Sequence, residues 1–398
     1  MIAYNTAVVL AGTSLLGASS GLIGVFALLR RRALLGDTLA HAALPGLCLG
    51  FLLWQERNLP VMLTGAFLSG LAGIAVVAGL RRFTRIKDDA ALGIVLSLFF
   101  GAGLALLKRI QTHAVGGSRA GLDHYIFGSA AGMIAGDVAI IATVALCVLT
   151  AVLLLYKEFR LVTFDDEFAR AQGWPAALLD LLIMLLIALT VTVALPAAGV
   201  VLTAALVILP AAAARFCTQR LSAMLAISAL FGASSGVVGT LASASGGIPT
   251  GPMIVLAGAG VFLAAMLCAP RRGIVSQMLA QRRARRRIER QKLLLAFDAT
   301  TAPVTIEALR SATSFSPRRL GGVLRLSERD GFLRRTAAGA WTLTDLGRSR
   351  AAAVARAQRL WRRFLTSFPE SVSLFNDLDL ERIDEVLPAE VMARLEQS

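Results

Sequence analysis

Charge is scarce in this chain: Asp, Glu, Lys and Arg together make up 16% of its residues, against 56% hydrophobic ones. Soluble domains carry about 25% charged residues, so an ordinary water-soluble enzyme is excluded for most of the length. Cysteine occurs four times and histidine three times in 398 residues. Cys48, Cys147, Cys217 and Cys268 all sit in apolar stretches and form no CxxC pair. That pattern excludes a disulfide framework and a thiolate metal site, and leaves small hydrophobes. No GxxxxGK(S/T) phosphate loop and no HExxH occur, so the chain is expected neither to hydrolyse ATP nor to be a zinc protease.

What is present is apolarity, with a mean hydropathy of +0.71. It is concentrated before residue 270, and from about Gly273 the chain turns arginine-rich and mixed polar. The expected organisation is a membrane domain over 1–270, a basic juxtamembrane linker over 271–291 and a soluble domain over 292–398. A spanning helix needs about 20 mostly apolar residues. Nine stretches qualify: 6–29, 35–54, 61–80, 90–107, 133–156, 177–195, 199–217, 221–242 and 252–269. The first lacks a basic beginning and ends at Arg30, Arg31 and Arg32, so it reads as a retained helix and not as a signal peptide. With nine spans, Arg30–Arg32, Arg81, Arg82, Arg85, Lys87, Lys157, Arg160, Arg215, Arg220, Arg271 and Arg272 share one face. The positive-inside rule then puts the N-terminus outside and the tail in the cytoplasm. Lys108, Arg109 and Arg119 fall on the other side and are outnumbered.

The stretch RRRALLGDTLAHAALPG (30–46) places an aspartate and a histidine inside the start of the second span. Ionisable groups at membrane depth are costly and line a polar path or an interior contact. Asp37 and His41 are four apart and share a helix face. Carboxylate with imidazole suits manganese, zinc or iron; a helix cap with an interhelical hydrogen bond is the plainer alternative. The other histidines, His113 and His124, lie near Asp123 in the outer segment between the fourth and fifth spans, as further metal candidates or as loop residues. Pro45 kinks the second span, and Pro196 and Pro210 bracket the seventh; proline in a spanning helix frees carbonyls that a cavity or a neighbour must satisfy. GASSGLIG (17–24) and GASSGVVG (232–239) each contain a GxxxG, from which close helix packing is expected.

On the basic face lies LVTFDDEFARAQGW (161–174), short, amphipathic and acidic at its start. Asp165, Asp166 and Glu167 favour a helix N-terminus, and Gly173 stops the helix. It suits docking into a groove on a partner, or serves as a surface connector.

GLIGVFALLRRRALLGDTLAHAALPGLCLGFLL (21–53) resembles the signature of permease subunits of metal-type ABC importers. DHYIFGS (123–129), FDDEFARAQGW (164–174), AAGVVLTAALVILPAAAAR (197–215) and GGIPTGPMIVL (246–256) resemble later blocks of that family in the same order. The resemblance covers about 10–270. It implies a coupling helix at 164–174, with Phe164, Asp165, Asp166, Glu167, Phe168, Ala169 and Gly173 against a separate ATP-hydrolysing subunit. It also implies that Asp37 and His41 belong to the metal pathway or its hydrogen-bonded support.

The tail begins with QRRARRRIERQK, whose position directly after a span favours anionic lipid over nucleic acid. VTIEALRSAT, capped at Thr305 with Ile306 and Leu309 apolar, and SPRRLGGVLRLSERDGFL, with Leu320, Val323, Leu324 and Leu326 on one face, read as a helix pair. Two short strands around a glycine turn and a helix capped at Thr344 follow, and Arg318, Arg319 and Arg325 are available to phosphates. This stretch, with RAQRLWRRFL (356–365) and LERIDEVLPAEVMARLE (380–396), resembles the diphtheria-toxin-type metal-dependent repressors. Where those have a Glu-His pair for metal, this chain offers Asp384 and Glu385, and the tail has no histidine.

The expected fold is an all-α polytopic membrane protein of about nine helices with a small cytoplasmic winged-helix (α+β) domain. The expected function is the permease subunit of an importer for manganese, zinc or iron in the bacterial inner membrane, with metal as cargo and no resident cofactor. Its expected partners are an ATP-binding subunit, an extracytoplasmic metal-binding protein, a second copy or a similar permease, and membrane lipid. A membrane-tethered metal-responsive regulator and an ion-coupled carrier are the alternatives.

Overall fold

The computed structural model describes residues 4–54, 58–113, 128, 130–270, 273–298, 303–337 and 339–367. It divides into two compact units, Met1–Gln277 and Met278–Ser398.

The first unit is a helical bundle: α1 (Tyr4–Leu29), α2 (Leu34–Trp54), α3 (Leu59–Phe83), α4 (Asp88–His113), α5 (Ala135–Leu154), α6 (Tyr156–Phe164), α7 (Asp166–Ala171), α8 (Ala176–Cys217), α9 (Leu221–Gly246) and α10 (Thr250–Cys268). Among the described residues, eight stretches are long and apolar enough to cross a bilayer, and Thr203–Cys217 is apolar but shorter. The expectation of nine full spans is corrected at α8: the chain is broken at Gly199, and the segment expected as the span 199–217 is a helix too short to count as one. There φ is 77° and ψ is 164°, a backbone conformation essentially reserved for glycine. Before the break α8 starts beside the turn after α1, since Asp180 pairs with Arg30 and Arg32. At the break it reaches Gly128 at the opposite end, and after it Val207 lies against Gly24 near the end of α1. The chain therefore turns back on a helix of 15 residues, about 22 Å long against a hydrocarbon core of about 30 Å.

The two GASSG stretches are each other's packing partners. A Cβ on Gly17 would lie 2.1 Å from the Gly232 carbonyl oxygen, and one on Gly232 would lie 1.9 Å from that of Gly17. Gly21 meets the Ser228 backbone and Gly236 that of Thr13, so α1 and α9 run antiparallel with backbone on backbone. Ser228 Oγ donates to the Gly21 carbonyl at 2.6 Å, and the Thr13 and Thr240 hydroxyls meet at 2.9 Å. Such seams replace the hydrophobic drive that lipid removes. GASSG also spells GxSxG, the spacing of a nucleophile elbow. Ser19 and Ser234 instead sit mid-helix and donate to Leu16 and Phe231 of their own helices, so neither is presented as a nucleophile.

The second unit follows α11 (Ile274–Asp298) with α12 (Ile306–Thr313), α13 (Pro317–Arg329), a hairpin of β1 (Leu333–Arg335) and β2 (Trp341–Leu343), and α14 (Asp345–Ser367). The strands pair antiparallel with Leu333 opposite Leu343. Leu293, Phe297, Leu309, Leu320, Val323, Leu324, Leu333 and Trp341 form its core. Ile306, expected inside, is exposed, and Leu326 is half-buried. Thr305 and Thr344 cap α12 and α14, accepting from the Ala308 and Gly347 amides. Asp384 and Glu385 lie outside the described residues.

Candidate functional site

Asp37 sits in the first turn of α2 and His41 one turn on. His41 Nε2 lies 3.3 Å from Asp37 Oδ1, and the imidazole meets the edge of Phe100 on α4 at 4.5 Å between ring centroids. His41 is mostly covered and Asp37 about one-third exposed, so the pair forms a wall open on the carboxylate side. His41 Nδ1 is buried with no hydrogen-bond partner. Pro45 lies inside α2, four residues after His41. It has no N–H to give the His41 carbonyl, so that oxygen lacks its helical partner. A carboxylate and an imidazole thus share one turn of α2, and the carbonyl released by Pro45 opens toward the next.

Among the described residues no group of three or more His, Cys, Asp or Glu side chains could hold a metal. His113 closes α4, but its side chain, like His124 and Asp123, lies outside the described residues. The structure brings Asp37 and His41 together, while the outer pair lies outside the described residues.

A charged cluster that the sequence reading overlooked lies at the arginine end. Asp180 Oδ1 sits 3.0 Å from Arg30 Nη1 and 2.9 Å from Arg32 Nη1. Arg32 also approaches Asp88 at 3.6 Å, which Arg81 holds at 2.9 Å. These five groups tie the α1–α2 turn, the end of α3, the start of α4 and the start of α8. Burial pulls the Arg30 guanidinium below its ordinary pKa, with Asp180 opposing the shift. The signal available in the sequence was a lone aspartate inside the apolar run 177–195.

At the same end α6 and α7 form a bent connector. Asp165 caps α7, its Oδ1 accepting from the Phe168 amide at 2.9 Å, and Asp166 pairs with Arg170 one turn on. Ala169 is buried, which fixes the inner face, while Phe164, Glu167, Phe168 and Trp174 are exposed. Gly173, at φ 82°, ends the segment in the left-handed region. Beside it an open cleft of about 780 Å³ is lined by Tyr156, Lys157, Arg160, Phe164, Asp165 and Arg220. Three large aromatics, Phe164, Phe168 and Trp174, and the acid Glu167 stand outward here on a pinned backbone.

Long apolar helices around a helix-borne Asp/His pair, with a rigid apolar-tipped connector at one end, define a multi-pass membrane transport subunit. Residues 3–269 match the model of the ABC 3 transport family, and the chain belongs to that family. It is 39% identical over 396 residues to the manganese transport system membrane protein MntC of Bacillus subtilis strain 168, covering 98% of this chain and 91% of that one. It is 41% identical to the zinc transport system membrane protein TroC of Treponema pallidum, over 70% of this chain and 94% of TroC. Among solved structures, PsaBC from Streptococcus pneumoniae in complex with Fab superposes with a TM-score of 0.62 at 29% identity, over 70% of this chain and 95% of that one.

Proposed function

We propose that this chain is the membrane-spanning permease subunit of an ABC importer whose cargo is a divalent transition metal ion: manganese, zinc or iron. The observation that carries the cargo class is the Asp37–His41 pair in a chain whose relatives are named for manganese and zinc transport. Asp37 Oδ1 lies 3.3 Å from His41 Nε2, so α2 itself brings together a carboxylate and an imidazole, the two ligand types such metals share. Asp37, partly exposed, supplies charge that attracts a cation. Two side chains fall short of the four to six donors such ions take. A second permease copy, or a similar chain, facing this one completes the set.

Transport then needs a source of work outside this chain, because it carries no phosphate loop. The segment 164–174 suits that coupling. Phe164 and Phe168 are apolar anchors and Glu167 is a charge on a backbone pinned by Asp165 and Gly173. A cytoplasmic ATP-binding subunit would take it into a groove, and an extracytoplasmic binding protein would deliver metal at the other end. The basic residues gathered at the arginine end favour that end as cytoplasmic. A tethered regulator needs only an anchor, which the eight long apolar helices among the described residues exceed.

The test is uptake of radiolabelled manganese, zinc and iron into vesicles holding this chain with its ATP-binding subunit, with the metal-loaded extracytoplasmic binding protein supplied on the opposite side. ATP-dependent accumulation of at least one metal is expected. Accumulation driven by an ion gradient without ATP would replace the reading with that of a secondary carrier.

A further inference from the structure

The amino-terminal half of α11 has an apolar face that is exposed among the described residues. Ile274, Val275, Met278 and Leu279 are 37%, 48%, 54% and 46% exposed. Their spacing of i, i+1, i+4 and i+5 puts them on one side of the helix. Two turns on from Val275, Met278 and Leu279, that same side continues as Arg282, Arg285 and Arg286, all exposed, with Arg283 beside them. Arg285 has a partner in Glu289 at 3.3 Å. Among the described residues Arg282, Arg283 and Arg286 face no carboxylate. The carboxy-terminal half of the same helix behaves differently: Leu293, Leu294 and Phe297 are fully buried. One continuous helix is thus anchored in a core at one end and unpartnered at the other.

Clustered like charges repel, so the arrangement is mildly unfavourable in water and is relieved by a polyanionic counterpart. The order of the residues identifies it. The last long apolar helix ends at Cys268 and α11 begins at Ile274, within covalent reach of the bilayer surface. Going away from the span, the helix presents apolar side chains first and arginines after them. That order lets methylene stems lie on hydrocarbon while guanidinium groups reach phosphates. A nucleic acid would use the arginines but leave Val275, Met278 and Leu279 against water. We propose that residues 274–286 lie on the anionic phospholipid of the bilayer that this same chain spans, clamping the start of the carboxy-terminal unit to the headgroups.

Trypsin reads this directly on the unmodified full chain, since its cutting sites are the arginines in question. Protein reconstituted in vesicles containing anionic phospholipid should be cut at Arg282–Arg286 about tenfold more slowly than in purely zwitterionic vesicles, because each basic residue contributes to the attraction. Cutting at the exposed hairpin residues Arg334 and Arg335 is the internal standard and should not change. Molar salt should remove most of the protection, since the Debye length falls to about 3 Å. M278Q with L279Q should remove it as well. Equal cutting in both vesicle types overturns the proposal. So does protection that arises only when the ATP-binding subunit or duplex DNA is added, which would assign the face to that partner. Metal uptake is not read in this experiment, so its failure leaves the transport reading untouched.

Discussion

The α1–α9 seam and the core of the carboxy-terminal unit are held by opposite means. Along the seam backbone lies on backbone through Gly17, Gly21, Gly232 and Gly236, with hydroxyls of Thr13, Ser228 and Thr240 closing the remaining polar contacts. In the carboxy-terminal unit Leu309, Leu320, Leu324 and Phe297 interdigitate as large side chains. In lipid a leucine face gains little by leaving the solvent for a neighbour, so the gain comes from closeness of approach. In water the same leucine gains by burial. The two units should therefore respond differently to added and to removed volume.

The largest effect tests that difference. Gly232→Leu puts a side chain where a Cβ alone would stand 1.9 Å from the Gly17 carbonyl oxygen. The helices must separate, and the monodisperse, membrane-extracted fraction should fall to near zero. Leu320→Ala removes volume from the other core and should cost about 2–5 kcal/mol locally, leaving the extracted membrane unit intact. Equal recovery of Gly232→Leu and the parent protein would break the comparison.

Next come substitutions that spare folding and remove function. Asp37→Ala and His41→Ala should abolish uptake of every metal carried, with the protein still at the membrane at parental level. Each removes one side of the pair that orients the other. Parental accumulation of manganese, zinc and iron in both would return the pair to the role of a helix-end hydrogen bond. Glu167→Arg combined with Phe168→Ala alters only exposed groups on α7, so binding of the ATP-binding subunit should be lost while extraction is unchanged. Undiminished co-purification and uptake would move the coupling contact elsewhere.

A smaller effect belongs to the cluster at the arginine end. Asp180→Ala leaves Arg30 and Arg32 largely buried without their shared carboxylate. Removing one partner of such a pair costs about 3 kcal/mol, read as a lowered thermal midpoint in detergent. Asp180→Glu should recover part of it. An unchanged midpoint for Asp180→Ala would show that water already satisfies these arginines.

Much of this was legible because membrane sequences announce themselves by length and charge. Apolar runs bounded by Arg30–Arg32 or by Arg81 and Arg82 predicted α1 to α4 closely, since a span cannot tolerate an unpaired charge within it. The seam was legible as GxxxG, but which glycine stretch met which was not, because spacing carries no partner. Around Gly199 two apolar segments were expected and the chain does turn back there; what the pattern did not show is that the returning helix, Thr203–Cys217, is shorter than a full span. Asp37 and His41 were legible from i, i+4 spacing. Phe100 against His41 and Asp180 between two arginines were not, since each comes from a helix remote in sequence.

The smallest expected effect lies in the carboxy-terminal unit. Deleting residues 291–398 cuts inside α11, removes Leu293, Leu294 and Phe297 with the core they serve, and retains the arginine-rich half that follows the last span. The membrane unit should still insert, because its helices satisfy their own backbone and its core residues all precede residue 270. Uptake per inserted molecule should stay at the parental rate at fixed metal. What should change is its response to the cell's metal level, if the carboxy-terminal unit regulates transport, and a dose–response curve in cells grown across a range of metal concentrations reads that. An identical curve would assign the unit a role outside regulation. Loss of all inserted protein would show that the membrane helices need the carboxy-terminal core after all, and that the contrast between the two units does not extend to folding.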